Sequence, residues 1–215
     1  MNSASLVAFG VVLTFALISP GADRAPKSQQ PSTVRYAATN GRLRIEGRSS
    51  IHDFNVEGRQ ILGFMDVPVG FPEQPSPLSK SFEDRVIAEV SMPVRSLRSV
   101  GNDGAAYSDK FDEIMYEKLG ERTQPAIQFQ LQKLVWISAE TNSQHFKLTG
   151  RLAVGGYTNT VECPVTITRL PGTKLRASGE VPIRTTDFGI PPPVGTSRLT
   201  VKVLFDWTVE RPKVR

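Results

Sequence analysis

Two histidines and one cysteine have the widest chemical reach in this 215-residue chain. His52 lies in the run Ser49-Ser50-Ile51-His52-Asp53-Phe54. At a strand period of two, Ser50, His52 and Phe54 share one face, and Ile51 and Asp53 take the other. A hydroxyl, an imidazole and a phenyl ring on one face can line a cavity and hydrogen-bond the polar head of a ligand. The same imidazole can instead be structural, bonded to a neighbouring strand. Asp53 points away from His52, which counts against a triad. His145 is opposite in phase to Phe146 and is expected on an exposed face. Cys163 shares an apolar face with Val161 and Val165, so it reads as a small buried hydrophobe with no activating charge beside it.

This inventory is poor in catalytic constellations. A three-histidine zinc site is out of reach with two histidines, and no Cys/His ligand cluster exists. The chain has no Gly-x-Ser-x-Gly elbow, no P-loop and no Gly-x-Gly-x-x-Gly. The paired carboxylates Asp112-Glu113 are expected on the outer face of a helix. These residues point to binding rather than catalysis; His52 as an acid/base toward a lipid substrate is the remaining enzymatic alternative.

Alternating segments must position these side chains. Ile127, Phe129 and Leu131 alternate with glutamines, and Phe146, Leu148, Leu152 and Val154 with polar or small residues. Val161, Cys163, Val165 and Ile167 form a third set, and Leu199, Val201, Val203, Phe205, Trp207 and Val209 a fourth. Such strands in series argue for an all-β antiparallel sandwich or barrel, and a closed barrel suits an apolar cargo. Further strands are expected at Thr33–Ala37, from Leu43, at Ile61–Val69, at Val86–Val94 and at Arg176–Ile183. Asn40-Gly41 reads as a hairpin turn. Ala105–Leu119 has helical spacing at Phe111, Ile114, Met115 and Leu119, with Asp103 as N-cap and Gly120 as the stop. This single amphipathic helix is expected to cover one barrel mouth. A loop with four prolines runs from Pro68 to Ser81.

The net charge of +5 is spread along the strands without a dense basic block, which argues for solvated strand faces and against a nucleic-acid partner. Weak contact with an anionic membrane surface and pairing into a homodimer stay open. Leu6–Ile18 is uncharged, too short to span a bilayer, and followed by the small residues Ser19, Gly21 and Ala22. The expected organisation is a signal peptide over 1–22, a disordered linker over 23–32 and one barrel domain over 33–211, exported to the periplasm or secreted.

The order of motifs is informative. Gly47-x-Ser49-Ser50-x-His52-Asp53-Phe54 comes first, then Ser96-Leu97, a helix and Pro125-x-Ile127-x-Phe129. Leu148-x-Gly150-x-Leu152 and Gly156-x-Thr158-x-x-Val161 follow, and Asp187-Phe188-Gly189-Ile190-Pro191-Pro192 precedes a terminal apolar strand. Over roughly Val34 to Val209 this resembles the YceI-like family of bacterial polyisoprenoid-binding proteins. The resemblance implies a lipocalin-like, eight-stranded antiparallel barrel with an elongated apolar cavity for an isoprenoid lipid or quinone, and no other cofactor. Phe54, Phe129, Leu131, Phe146, Leu148, Val154, Val203, Phe205 and Trp207 would then line the tunnel. Phe111 and Met115 would cap it, and Ser50 and His52 would meet the head group. The competing reading is a barrel filled by these same large side chains, acting as a structural or stress-related interaction protein.

Overall fold

In the computed structural model the described residues are 33–48, 53–71, 83–192 and 199–212. The expected leader and linker over 1–32, Ser50 and His52, and most of the proline-rich stretch from Pro68 to Ser81 lie outside them. The elements in order are β1 (Thr33–Arg48), β2 (Asp53–Gly58), β3 (Leu62–Pro68), β4 (Ile87–Pro93) and β5 (Leu97–Val100). Helix α1 (Asp109–Lys118) follows, then β6 (Ala126–Ala139), β7 (Ser143–Val154), β8 (Tyr157–Leu170), β9 (Lys174–Arg184) and β10 (Thr200–Glu210).

Ten strand segments make eight barrel strands. β1 pairs with β2 through Leu43–Arg48 and with β3 through Thr33–Ala37, so β2 and β3 are two halves of one strand, interrupted at Arg59–Ile61. β4 and β5 likewise pair with β3 and β2, joined by a 3₁₀ turn at Val94–Ser96. Each strand then neighbours the next in the chain, and β1 closes the ring on β10 along Ala37–Gly47. Closure removes the open edges that a flat sheet would leave to other chains. Cross-strand ion pairs such as Lys147–Glu162 at 2.7 Å and Lys202–Glu180 at 3.4 Å lie on the outer faces. The mixed charge is therefore spent on the solvated side of the barrel.

The structure corrects several local expectations. Asn40-Gly41 makes no turn: both residues lie inside β1, opposite Thr208 and Trp207, just past a bulge at Ala38/Asn40. Glycine is needed there for space, since a Cβ on Gly41 would stand 2.5 Å from Cβ of Ile61. Long-range pairing with β10 overrides the local turn signal. The helix is shorter than expected, because Ala105–Tyr107 are held by β5 through Gly101 N–H to Ala105 O at 2.8 Å and Tyr107 N–H to Ser99 O at 3.0 Å. Ser108 rather than Asp103 is the N-cap, its Oγ accepting from Phe111 N–H at 3.2 Å. Asp103 serves the preceding turn, accepting from Ala105 N–H. Gly120 does end the helix, with φ of 68°. In β6 a bulge at Leu131/Lys133 shifts the phase, so Leu134 and Trp136 take over the inward face. The backbone N–H of Trp136 is satisfied by Glu83 Oε1 at 2.7 Å.

Candidate functional site

The inward faces of the strands enclose a cavity of about 240 Å³. Its floor is filled: Phe71, in the turn after β3, packs on Phe146 with ring centroids 6.0 Å apart, and neither ring lines the cavity. The other end is bounded by Leu119 after α1, by Thr185, Phe188 and Ile190, and by the end of β7 and the start of β10. The wall is apolar almost throughout, and among the described lining residues none carries a charge. A surface of this kind holds a guest by burial of apolar area, which is non-directional and scales with contact.

Aromatic rings shape this wall by lying across glycines. Phe205 faces Gly179 directly across β9 and β10, where a Cβ would come within 2.6 Å of the ring. Phe129 lies over Gly150 on β7, where a Cβ would be 2.2 Å from its ring. Each ring occupies the place of a missing side chain, so it lies along the wall instead of projecting across the hollow.

The expected lining residues divide. Phe129, Leu131, Leu148, Val154, Val203, Phe205 and Trp207 stand on the cavity wall. Phe146 is inward-facing but completely buried in the floor, so the hollow stops short of it. Phe54, Phe111 and Met115 are half-buried at the helix end and do not line the cavity. Phe54 covers Gly47 and meets Phe111 at 5.8 Å between centroids, and Tyr107 extends this cluster at 6.3 Å from Phe111. Ser50 and His52 lie outside the described residues. Leu43, Ile45, Met65 and Thr185 line the cavity without having been singled out. The first three follow a strand period that the false turn and the broken second strand obscured; Thr185 had no signal in the sequence.

Two further expectations are corrected. Asp112 is not on the outer face of α1 but 3% exposed against β5. Its Oδ1 accepts the backbone N–H of Ser99 at 2.7 Å and its Oδ2 meets Arg98 at 3.3 Å. One turn on, Tyr116 donates its hydroxyl to Leu97 O at 2.7 Å, and burial pushes that hydroxyl's pKa up. At its other end α1 reaches the β7–β8 turn, where Gly155 lies against the Leu119 carbonyl. The helix thus crosses the barrel end where β6 begins. His145 is half-buried, with Nδ1 3.1 Å from Thr166 Oγ1 and Nε2 3.5 Å from Glu140. Cys163 is on the cavity wall, and desolvation raises its thiol pKa to about 11, which makes it unreactive at neutral pH.

Among the described residues no group of three or more His, Cys, Asp or Glu could hold a metal ion, and no helix is long and apolar enough to cross a membrane.

A closed antiparallel barrel of eight strands, hollow along its apolar interior and crossed at one end by a helix, defines a lipocalin-like barrel protein. Residues 47–209 match the model of the YceI-like domain, and the chain belongs to that family. Among solved structures it is similar to BcnA of Burkholderia cenocepacia, with 16% identity, a TM-score of 0.58, and coverage of 78% of this chain and 95% of the other. A polyisoprenoid binding domain from Saccharophagus degradans, implicated in plant cell wall breakdown, aligns at 12% identity with a TM-score of 0.57, covering 84% and 100%. The YCEI protein of Campylobacter jejuni gives 12% identity and a TM-score of 0.50 over 78% and 88%. No curated protein matches the chain. At these identities the likeness is one of fold.

Proposed function

We propose that this protein binds an apolar isoprenoid-type lipid, a polyprenyl chain or a quinone, inside its barrel and carries or stores it in the cell envelope without chemical change. One observation carries the reading: the cavity of about 240 Å³ is walled by apolar side chains inside a closed barrel. Each methylene moved from water into such a wall contributes about 0.8 kcal/mol, so a few prenyl units offset an association cost on the order of 4–15 kcal/mol. Membership in the YceI-like family and the polyisoprenoid binding described for the Saccharophagus relative support the same cargo class. Residues 1–22 act as the export leader, which puts the barrel in the periplasm or outside the cell.

The test is native mass spectrometry of the protein purified from its own envelope, followed by organic extraction. A bound mass that extracts as an isoprenoid or quinone is expected. A clean apo mass that stays apo when long-chain isoprenoids are offered overturns the reading in favour of a barrel that works through its surface.

A further inference from the structure

We infer that the hydroxyl of Thr185 reads the head group of the cargo, and that the group it reads is a neutral oxygen, an alcohol or a carbonyl, rather than a phosphate. This rests on the lipid-binding reading above and narrows it.

Thr185 is 7% exposed and lines the cavity, yet its Oγ1 has no hydrogen-bond partner. Its backbone is fully engaged: the N–H donates to Leu199 O at 3.0 Å and the carbonyl accepts from Ile190 N–H at 3.1 Å. The 3₁₀ turn Thr185–Phe188 is therefore held without the hydroxyl. A buried hydroxyl left unpaired is costly, and valine would fill the same space without that cost. A turn about χ1 between staggered wells exchanges the hydroxyl and the methyl on the cavity side. Once turned inward the hydroxyl can donate to a carbonyl or accept from an alcohol.

The charge of the wall sets the class of head group. Among the described lining residues there is no Lys, Arg, His, Asp or Glu. An ionised phosphate moved against these residues would lose its hydration with no charge among them to replace it. Position sets the orientation. Thr185 stands at the end crossed by α1, while the opposite end is floored by Phe71 and Phe146. A head at Thr185 therefore sends the chain past Val203 and Phe205 toward the floor. Trp207 Nε1 is the other unpartnered polar atom on the described cavity wall. It stands on β10 well beyond Leu199, whose carbonyl holds Thr185, toward the floor end, and an indole N–H only donates.

The experiment offers the delipidated full-length exported protein three probes with one carbon skeleton: phytol, phytane and phytyl diphosphate. Occupancy is read by competition native mass spectrometry, and folding by melting temperature. The wild type is expected to prefer phytol over phytane by about tenfold, the worth of one hydrogen bond. T185V is expected to lose that preference, with phytol falling to the level of phytane or below it, and T185S to restore it. The assignment is overturned if T185V keeps the wild-type ratio, or if phytyl diphosphate is taken up ahead of phytol. If the wild type takes up none of the three, the lipid-binding reading itself fails and this inference falls with it.

Discussion

Asp112 Oδ1 accepts the backbone N–H of Ser99 at 2.7 Å, so a helix carboxylate stands where the next barrel strand would otherwise pair. β5 pairs with β2 on one side, and its other edge is met by Ala105–Tyr107 and by α1. Tyr116 supplies the matching donor to Leu97 O at 2.7 Å. The helix is thus tied to the barrel rim by polar bonds to backbone as well as by the packing of Phe111, Met115 and Tyr116. Asp112→Ala is expected to cost about 2–3 kcal/mol, because it leaves a buried N–H unpaired as well as removing a charge-assisted bond. Tyr116→Phe removes one neutral bond, at about 1 kcal/mol. Urea unfolding of both variants measures this; equal stability of D112A and wild type would show that the edge is closed some other way.

The Gly150–Phe129 contact makes the shape of the cavity sensitive to one methyl group. Gly150→Ala places a Cβ 2.2 Å from the Phe129 ring and 2.9 Å from the Gln130 carbonyl, so the ring must swing off the wall into the hollow. Overpacking of this kind costs roughly 1–3 kcal/mol. The expected result is a folded barrel with a lower melting temperature and reduced uptake of long-chain isoprenoids. Circular dichroism and lipid extraction on the same preparation check both halves.

Phe146 is the floor of the cavity and has no exposed surface. Phe146→Ala is expected to destabilise the protein by about 3–5 kcal/mol, the usual cost of deleting a buried aromatic ring. It also opens the hollow toward Phe71, so a surviving F146A barrel should accept longer chains than wild type. Denaturant midpoints and a chain-length series of prenols read the two effects.

Cys163 ionises only well above neutral pH, its thiol pushed by burial from 9.0 to about 11. Between these values the unfolded chain loses its proton first, so this group draws stability away as pH rises from about 9 toward 11 and has no such effect below 9. At pH 8 the folded protein should label with iodoacetamide about a hundredfold more slowly than the urea-unfolded chain, in proportion to its thiolate. Comparable rates in the two states would show that the thiol is not held in the apolar wall.

Much of the barrel was legible in the residues. The alternation of Val161, Cys163, Val165 and Ile167, and of Val201 through Val209, needs only the pleat of a strand to turn it inward, and these faces do form the interior. Uptake of the cavity wall by Phe129, Leu148, Val203 and Phe205 follows from the same period. Local signals misled where a distant strand decided the outcome. Asn40-Gly41 has the composition of a turn, but pairing with Thr208 and Trp207 holds it extended. Asp112 has the look of a solvent-facing helical carboxylate, but an unpaired N–H on β5 draws it inward.

The sequence by itself determined the all-β class, most of the inward side chains and the apolar character of the interior, because each of these is a property of residues two positions apart. Tertiary structure alone decided how far the hollow extends. Phe146 and Phe129 sit in the same pattern of apolar residues, yet one is stacked under Phe71 as floor and the other lies over Gly150 as wall. Whether a large side chain fills a barrel or lines it depends on what stands across from it, and that is set by closure of β1 on β10 and by the register of strands distant in the chain.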